Sequence, residues 1–131
     1  MTQLPLILIC DDDHVTRELI ATILRDEHFD VIVAENGTDA VKLAAERRPD
    51  LVLLDFLMPD QLSGLDTLGE LAERHLAPVA MLSTLDDYRD RIEASRRGAI
   101  AFLNKSDSLE RLGDQVRTVL ADCARRDAAQ S

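Results

Sequence analysis

Five short apolar runs recur along the chain, at 4–10, 31–34, 51–54, 79–82 and 99–103, each separated from the next by room for about one helix. Continuous apolar runs of this length are those of strands buried on both faces, not of strands with one wet side. Between them lie helical stripes. Val15, Leu19, Ile20, Ile23 and Leu24 form the first, and Ala40, Val41, Leu43, Ala44 and Ala45 a weaker second. Leu65, Leu68, Leu71 and Ala72 form the third, and Leu109, Leu112, Val116, Val119, Leu120 and Cys123 the last. The segment 86–97, "DDYRDRIEASRR", is helical in propensity but offers only Tyr88 and Ile92 as large apolar residues. Its helix is expected to pack lightly. Asn36-Gly37, Pro49, Pro78 and Gly98 punctuate the pattern. Five strands alternating with five helices predict an α/β fold, a parallel sheet covered by helices on both sides.

At 131 residues the chain is read as one domain, 1–131, with a core at about 4–122 and "RRDAAQS" as a fraying tail. No apolar run approaches the ~20 residues of a membrane span. The N-terminus lacks the basic region of a signal peptide. Net charge is −10, which sets the chain against nucleic acid and anionic membranes. The arginine pairs 47–48, 96–97 and 125–126 each close a helical stretch, where cations favour the negative end of the helix dipole. Cys10 and Cys123 have no metal or redox spacing and are read as buried thiols of a cytoplasmic protein.

In a parallel sheet the carboxyl ends of the strands share one edge, and ligands bind there. The residues expected at that edge are chemically specific. Asp11, Asp12 and Asp13 follow the first run, Asp55 the third, Ser83 and Thr84 the fourth, and Lys105 the fifth; Glu35 and Asn36 end the second, at the sheet margin. Asp13 is read as the cap of the first helix. Converging carboxylates repel, by about 1 kcal/mol per pair at 4 Å in water and more when partly buried. A hard divalent cation and a lysine relieve this. Mg²⁺ takes one or two carboxylates and keeps several waters, so Asp12 and Asp55 fit as direct ligands with Asp11 acting through water. Lys105 cancels a further charge, and Ser83 offers a hydroxyl. Asp55 is then a carboxylate nucleophile suited to phosphoryl transfer.

The stretches "ILICDDDHVTRELI", "PDLVLLDFLMPDQLSGLDTL", "PVAMLSTLDD" and "GAIAFLNKSDSLERL" resemble response-regulator receiver domains of the CheY-like superfamily, over about residues 4–122. The resemblance implies a flavodoxin-like (βα)5 doubly wound sandwich with strand order 2-1-3-4-5, the order that family exemplifies. It implies Asp55 as phospho-acceptor and Asp11, Asp12, Asp55 and the Leu57 main-chain carbonyl as ligands of Mg²⁺ or Mn²⁺. It further implies Ser83 as switch hydroxyl, Phe102 as switch aromatic and Lys105 as the phosphate-pairing lysine. The phosphodonor would be a phosphohistidine of a sensor histidine kinase or histidine phosphotransfer protein. Phosphorylation would reshape the helix 4, strand 5 and helix 5 surface for an unknown downstream protein. The resemblance leaves a homodimer open as a further partner; the net charge sets the domain itself against nucleic acid and membrane. The chain is expected to catalyse only its own phosphorylation and dephosphorylation. A stand-alone receiver is expected ahead of a module from a larger regulator, such as one with a LuxR-type DNA-binding domain.

Several residues depart from the family pattern. Ser106 follows Lys105 where proline, often after a cis bond, is common. Either that loop is strained or it runs trans with a different lysine approach. Thr84 replaces a smaller residue and is expected to slow reaction with small phosphodonors. The loop 59–64, "PDQLSG", is one residue longer than usual. Leu57 and Leu85 stand where polar side chains help orient an attacking water, and are expected to prolong the phosphorylated state. His14, His28 and His75 match no metal spacing.

Rival chemistries fit poorly. A haloacid-dehalogenase-like phosphohydrolase wants a second acid two positions after its nucleophile, where Leu57 stands, and usually a cap insertion. A flavin carrier needs a Ser/Thr/Gly-rich phosphate loop where "DDDH" stands. Neither GxGxxG nor a P-loop occurs.

Overall fold

The computed structural model describes residues 3–58, 63–84, 87–105 and 109–130, with side chains through 126. Five parallel strands pair in the order β2-β1-β3-β4-β5: β1 (Leu6–Cys10), β2 (Asp30–Ala34), β3 (Leu51–Asp55), β4 (Val79–Ser83) and β5 (Ala101–Asn104). All five coincide with the apolar runs to within two residues. The helices are α1 (His14–Asp26), α2 (Gly37–Arg47), α3 (Gly64–Glu73), α4 (Tyr88–Arg96) and α5 (Leu112–Gln130), the last entered through a 3₁₀ turn at Leu109–Arg111.

Strand alternation divides the core in two. Leu8, Cys10, Val52, Leu54 and Met81 face α2, α3 and α4, meeting Ala40, Ala44, Leu68, Leu71 and Ala94. Ile7, Ile9, Leu51, Leu53 and Leu82 face α1 and α5, meeting Ile20, Ala21, Leu24, Leu112 and Val116. No helix among the described residues is long and apolar enough to cross a membrane.

Local chemistry sets the helix ends. Asp13, Asn36, Ser63 and Asp87 cap α1 to α4, each side chain accepting a backbone N–H of the first turn. After α1 and α3 the chain turns back through left-handed residues, His28 at φ 71° and His75 at φ 52°. The main-chain N–H groups of Phe29 and Leu76 then reach back to Leu24 and Leu71. His28 and His75 therefore serve the backbone, a role the histidine reading did not include.

Three expectations need correction. Val15 and Leu19 are 73% and 47% exposed, whereas Arg17 is buried with Ile20, Ala21 and Leu24. Positions 17, 20, 21 and 24 follow the i, i+3, i+4, i+7 spacing of one helix face, and that face meets the sheet. Helix α4 packs lightly, as expected: Tyr88 and Ile92 are exposed and only Ala94 is buried. Helix α5 continues to Gln130 through the residues read as a fraying tail. Arg125 and Arg126 consequently lie inside α5 rather than closing it. The other two pairs do sit at helix ends, at Arg47–Arg48 and Arg96–Arg97.

Candidate functional site

Parallel register carries the ends of β1, β3, β4 and β5 to one edge. Cys10 pairs with Leu54, Asp55 with Leu82, and Ser83 with Asn104. Each chain then leaves the sheet carrying a polar residue. Asp11, Asp12 and Asp55 converge, each with a carboxylate oxygen within 4.8 Å of the others. Lys105 Nζ donates to Asp11 Oδ2 at 2.6 Å and lies 3.3 Å from Asp55 Oδ1. Asp11, Asp55 and Ser83 are buried, and Asp12 is exposed.

Main-chain groups fix the carboxylates. The Asp13 N–H donates to Asp11 Oδ1 at 2.9 Å, and the Leu57 N–H to Asp55 Oδ1 at 3.2 Å. Lys105 is held by its own N–H on the Ser83 carbonyl at 2.8 Å, which ties the β5 exit to the β4 exit. The predicted set Asp11, Asp12, Asp55 and Lys105 is thus brought together, and Ser83 stands at the buried end of the adjoining strand. Leu57 contributes its N–H here and its side chain is 50% exposed. Phe102, on β5, packs on the α2–α4 side rather than at the carboxylates. The Lys105–Ser106 junction, Leu85 and most of the 59–64 loop lie outside the described residues.

Electrostatics follow from burial. Loss of water pushes the Asp55 carboxyl up to about 6, the charge of Asp11 adding to this while Lys105 and the Leu57 N–H oppose it. Burial pulls the Lys105 ammonium down, but its hydrogen bond to Asp11 and the charge of Asp55 outweigh that and leave it raised. Asp13, fully exposed, is lowered by the hydrogen bonds it accepts from Thr16, as a helix cap is. Cys10, beneath the acids, is pushed up to about 12 by burial and then by Asp11 and Asp55. Its thiol stays protonated at neutral pH, with the Asn36 carbonyl at 3.4 Å and Met58 Sδ at 3.5 Å as acceptors for its one proton. The charged donor set is therefore carboxylate oxygen, which suits a hard divalent cation.

Two residues of this region were missed from sequence. Arg17 is buried beside the cluster, its Nη1 donating to the Asp11 carbonyl at 3.0 Å and its Nη2 lying 3.0 Å from His14 Nδ1. Its position on the buried stripe of α1 was the available signal. Gly64 begins α3 so close to the end of β3 that a Cβ there would lie 2.5 Å from the Phe56 carbonyl oxygen and 2.7 Å from that of Asp55. No local pattern announces such an approach.

Residues 7–117 match the family model described as the response regulator receiver domain. The chain is 35% identical over 115 residues to the probable transcriptional regulatory protein TcrX of Mycobacterium tuberculosis, covering 87% of this chain and 49% of that protein. It is 36% identical over 118 residues to the protein PilH of Pseudomonas aeruginosa, covering 88% of this chain and 97% of that one. Among solved structures, the Francisella response regulator 1452 receiver domain superposes with a TM-score of 0.82 at 29% identity, covering 91% of this chain and 98% of that one. The chain spans about half the length of the curated transcriptional regulators it matches.

Proposed function

The chain belongs to the response regulator receiver family, and from that premise we propose that Asp55 is the residue that accepts the phosphoryl group. The receiver role in a phosphorelay is the family's; the assignment to Asp55 rests on its burial at a strand end between a second carboxylate and an ammonium group. In the reaction the N–P bond of a phosphohistidine breaks, the O–P bond to an Asp55 carboxylate oxygen forms, and the departing imidazole regains its proton from solvent. The phosphohistidine belongs to a sensor histidine kinase or a histidine phosphotransfer protein.

Asp11, Asp12 and Asp55 would hold Mg²⁺ or Mn²⁺, with the Leu57 carbonyl as a further ligand. The cation supplies charge neutralisation for the phosphoryl oxygens. The protein's own groups do the rest. Lys105 offsets Asp11 and Asp55 before transfer and gives the new phosphoryl group a cation afterwards, and the Ser83 hydroxyl is a donor beside it. Burial of Asp55 removes the water its carboxylate would otherwise have to shed.

A phosphoryl group adds about −1.5 to −2 charge, by analogy with other phosphorylated side chains. Ser83 is drawn toward it, and the space vacated lets Phe102 rotate. The lightly held α4 then shifts with β5, and the altered surface binds a downstream protein. At net charge −10 the receiver itself is not the nucleic-acid contact.

Incubation with Mg²⁺ and a panel of phosphorylated histidine kinases tests the assignment. Label is expected on the parent chain and absent from Asp55→Asn. Equal labelling of Asp55→Asn would overturn it.

A further inference from the structure

Two ring contacts lead from the residue after Asp55 to α4. Phe56 directly follows Asp55 and is fixed by its N–H on the Leu82 carbonyl. Its ring meets that of Phe102 with centroids 6.3 Å apart and planes inclined at 50°, a tilted aromatic pair. Over the Phe102 ring stands the Arg91 guanidinium, 5.2 Å from the centroid, at the second turn of α4. Phe102 is half-buried, so its ring is covered in part by a charged group from a neighbouring helix.

Among the described residues, helix α4 buries little apolar surface. Its large apolar residues Tyr88 and Ile92 face solvent, and it buries only Ala94. At its C-terminal end Arg97 pairs with Glu93 of the same helix at 2.9 Å and with Asp66 of α3 at 3.4 Å, both exposed contacts worth little. An element attached this way has a low cost of displacement. Because Arg91 stands over the Phe102 ring, a turn of that ring changes the contact.

We infer that Arg91 is a latch: its guanidinium holds Phe102 in the orientation seen here and thereby opposes the rearrangement that phosphorylation of Asp55 drives. This rests on the phospho-acceptor reading of Asp55. If phosphorylation turns the Phe102 ring, the cation–ring contact must break, so it belongs to one state only. A contact made in one state shifts the equilibrium by its own free energy, and by linkage lowers affinity for whatever favours the other state. Arg91 is thus a positioning residue acting through Phe102.

The test uses the full chain with Mg²⁺ and beryllofluoride, an analogue of a phosphoryl group on a carboxylate, followed by isothermal titration. Arg91→Gln is expected to bind the analogue about two- to fivefold more tightly than the parent, the range of an exposed cation–aromatic contact. Arg91→Lys, which keeps the charge without the flat face, is expected in between. Arg89→Gln, which removes a neighbouring positive charge from the same helix, is expected to match the parent. With Phe102→Leu already present, Arg91→Gln is expected to change nothing. Unchanged or weaker binding in Arg91→Gln overturns the latch, as does an equal gain in Arg89→Gln, while leaving the role of Asp55 standing. Failure of the parent chain to bind the analogue would remove the acceptor reading itself, and the latch with it.

Discussion

Asp55 lies where a carboxylate is held against its own preference, and that has a measurable signature. Its ordinary value of 3.8 is raised by burial to about 6 in the folded, metal-free chain. Between these values the folded state binds a proton that the unfolded chain does not. The contribution of Asp55 to stability is therefore greatest below about pH 4, falls as pH rises toward 6, and stays low above it. Asp55→Asn removes this term. In chelator at pH 8 the variant is expected to be more stable than the parent by about 1–3 kcal/mol, and the gain is expected to vanish near pH 4. Thermal melts at both pH values check this; an unchanged melt at pH 8 would contradict it. Leu57, two residues on, is half exposed and apolar, and offers nothing to orient a water. Leu57→Asn is expected to speed loss of the phosphoryl group severalfold, and Leu57→Asn with Leu85→Glu more so. Decay of radiolabel after removal of the donor measures both.

At the scale of elements, the site depends on how closely α3 approaches β3. Gly64 opens α3 with no room for a Cβ between it and the carbonyls of Asp55 and Phe56. The obstacle is backbone, which cannot swing aside as a side chain can. Gly64→Ala is expected to cost about 1–3 kcal/mol as an overpacking change and to displace the end of β3 that carries Asp55, so phosphorylation slows as well. Denaturant titration measures the first effect and a phosphotransfer time course the second. A variant with parental stability and rate would show that this approach is not tight. Most of the elements themselves were legible in the sequence, because a strand buried on both faces needs a continuous apolar run and a cap needs a short polar side chain. The buried face of α1 was not. Val15 and Leu19 looked like core by residue type, but the sheet selects the face through Ile20, Ala21 and Leu24, and Arg17 comes with it. The helical continuation of α5 to Gln130 was likewise unread.

For the whole molecule, the proposed cation site would couple folding to cation binding. Three carboxylates meet only when β1 and β3 are paired, so the divalent cation proposed above would bind the folded chain far better than the unfolded one. At a Mg²⁺ concentration about one hundred times the dissociation constant, linkage predicts ~2.7 kcal/mol of added stability. A rise in melting temperature with Mg²⁺ is expected in the parent and is expected to be much smaller in Asp12→Asn. An equal rise in both would mean that the cation acts elsewhere. Because Asp55→Asn also removes a proposed ligand, it is expected to gain stability in chelator and lose the response to Mg²⁺.

The sequence by itself determined the strands, the parallel sheet and the acids and lysine at the strand ends, since periodicity and the residue that ends a run are local properties. Tertiary structure alone decided which of these meet. Lys105 reaches Asp11 across 94 residues of chain, Arg91 finds Phe102 across two elements, and Arg17 is buried because α1 turns that face to the sheet. Those contacts depend on surfaces supplied by distant segments, and no window of neighbouring residues contains them.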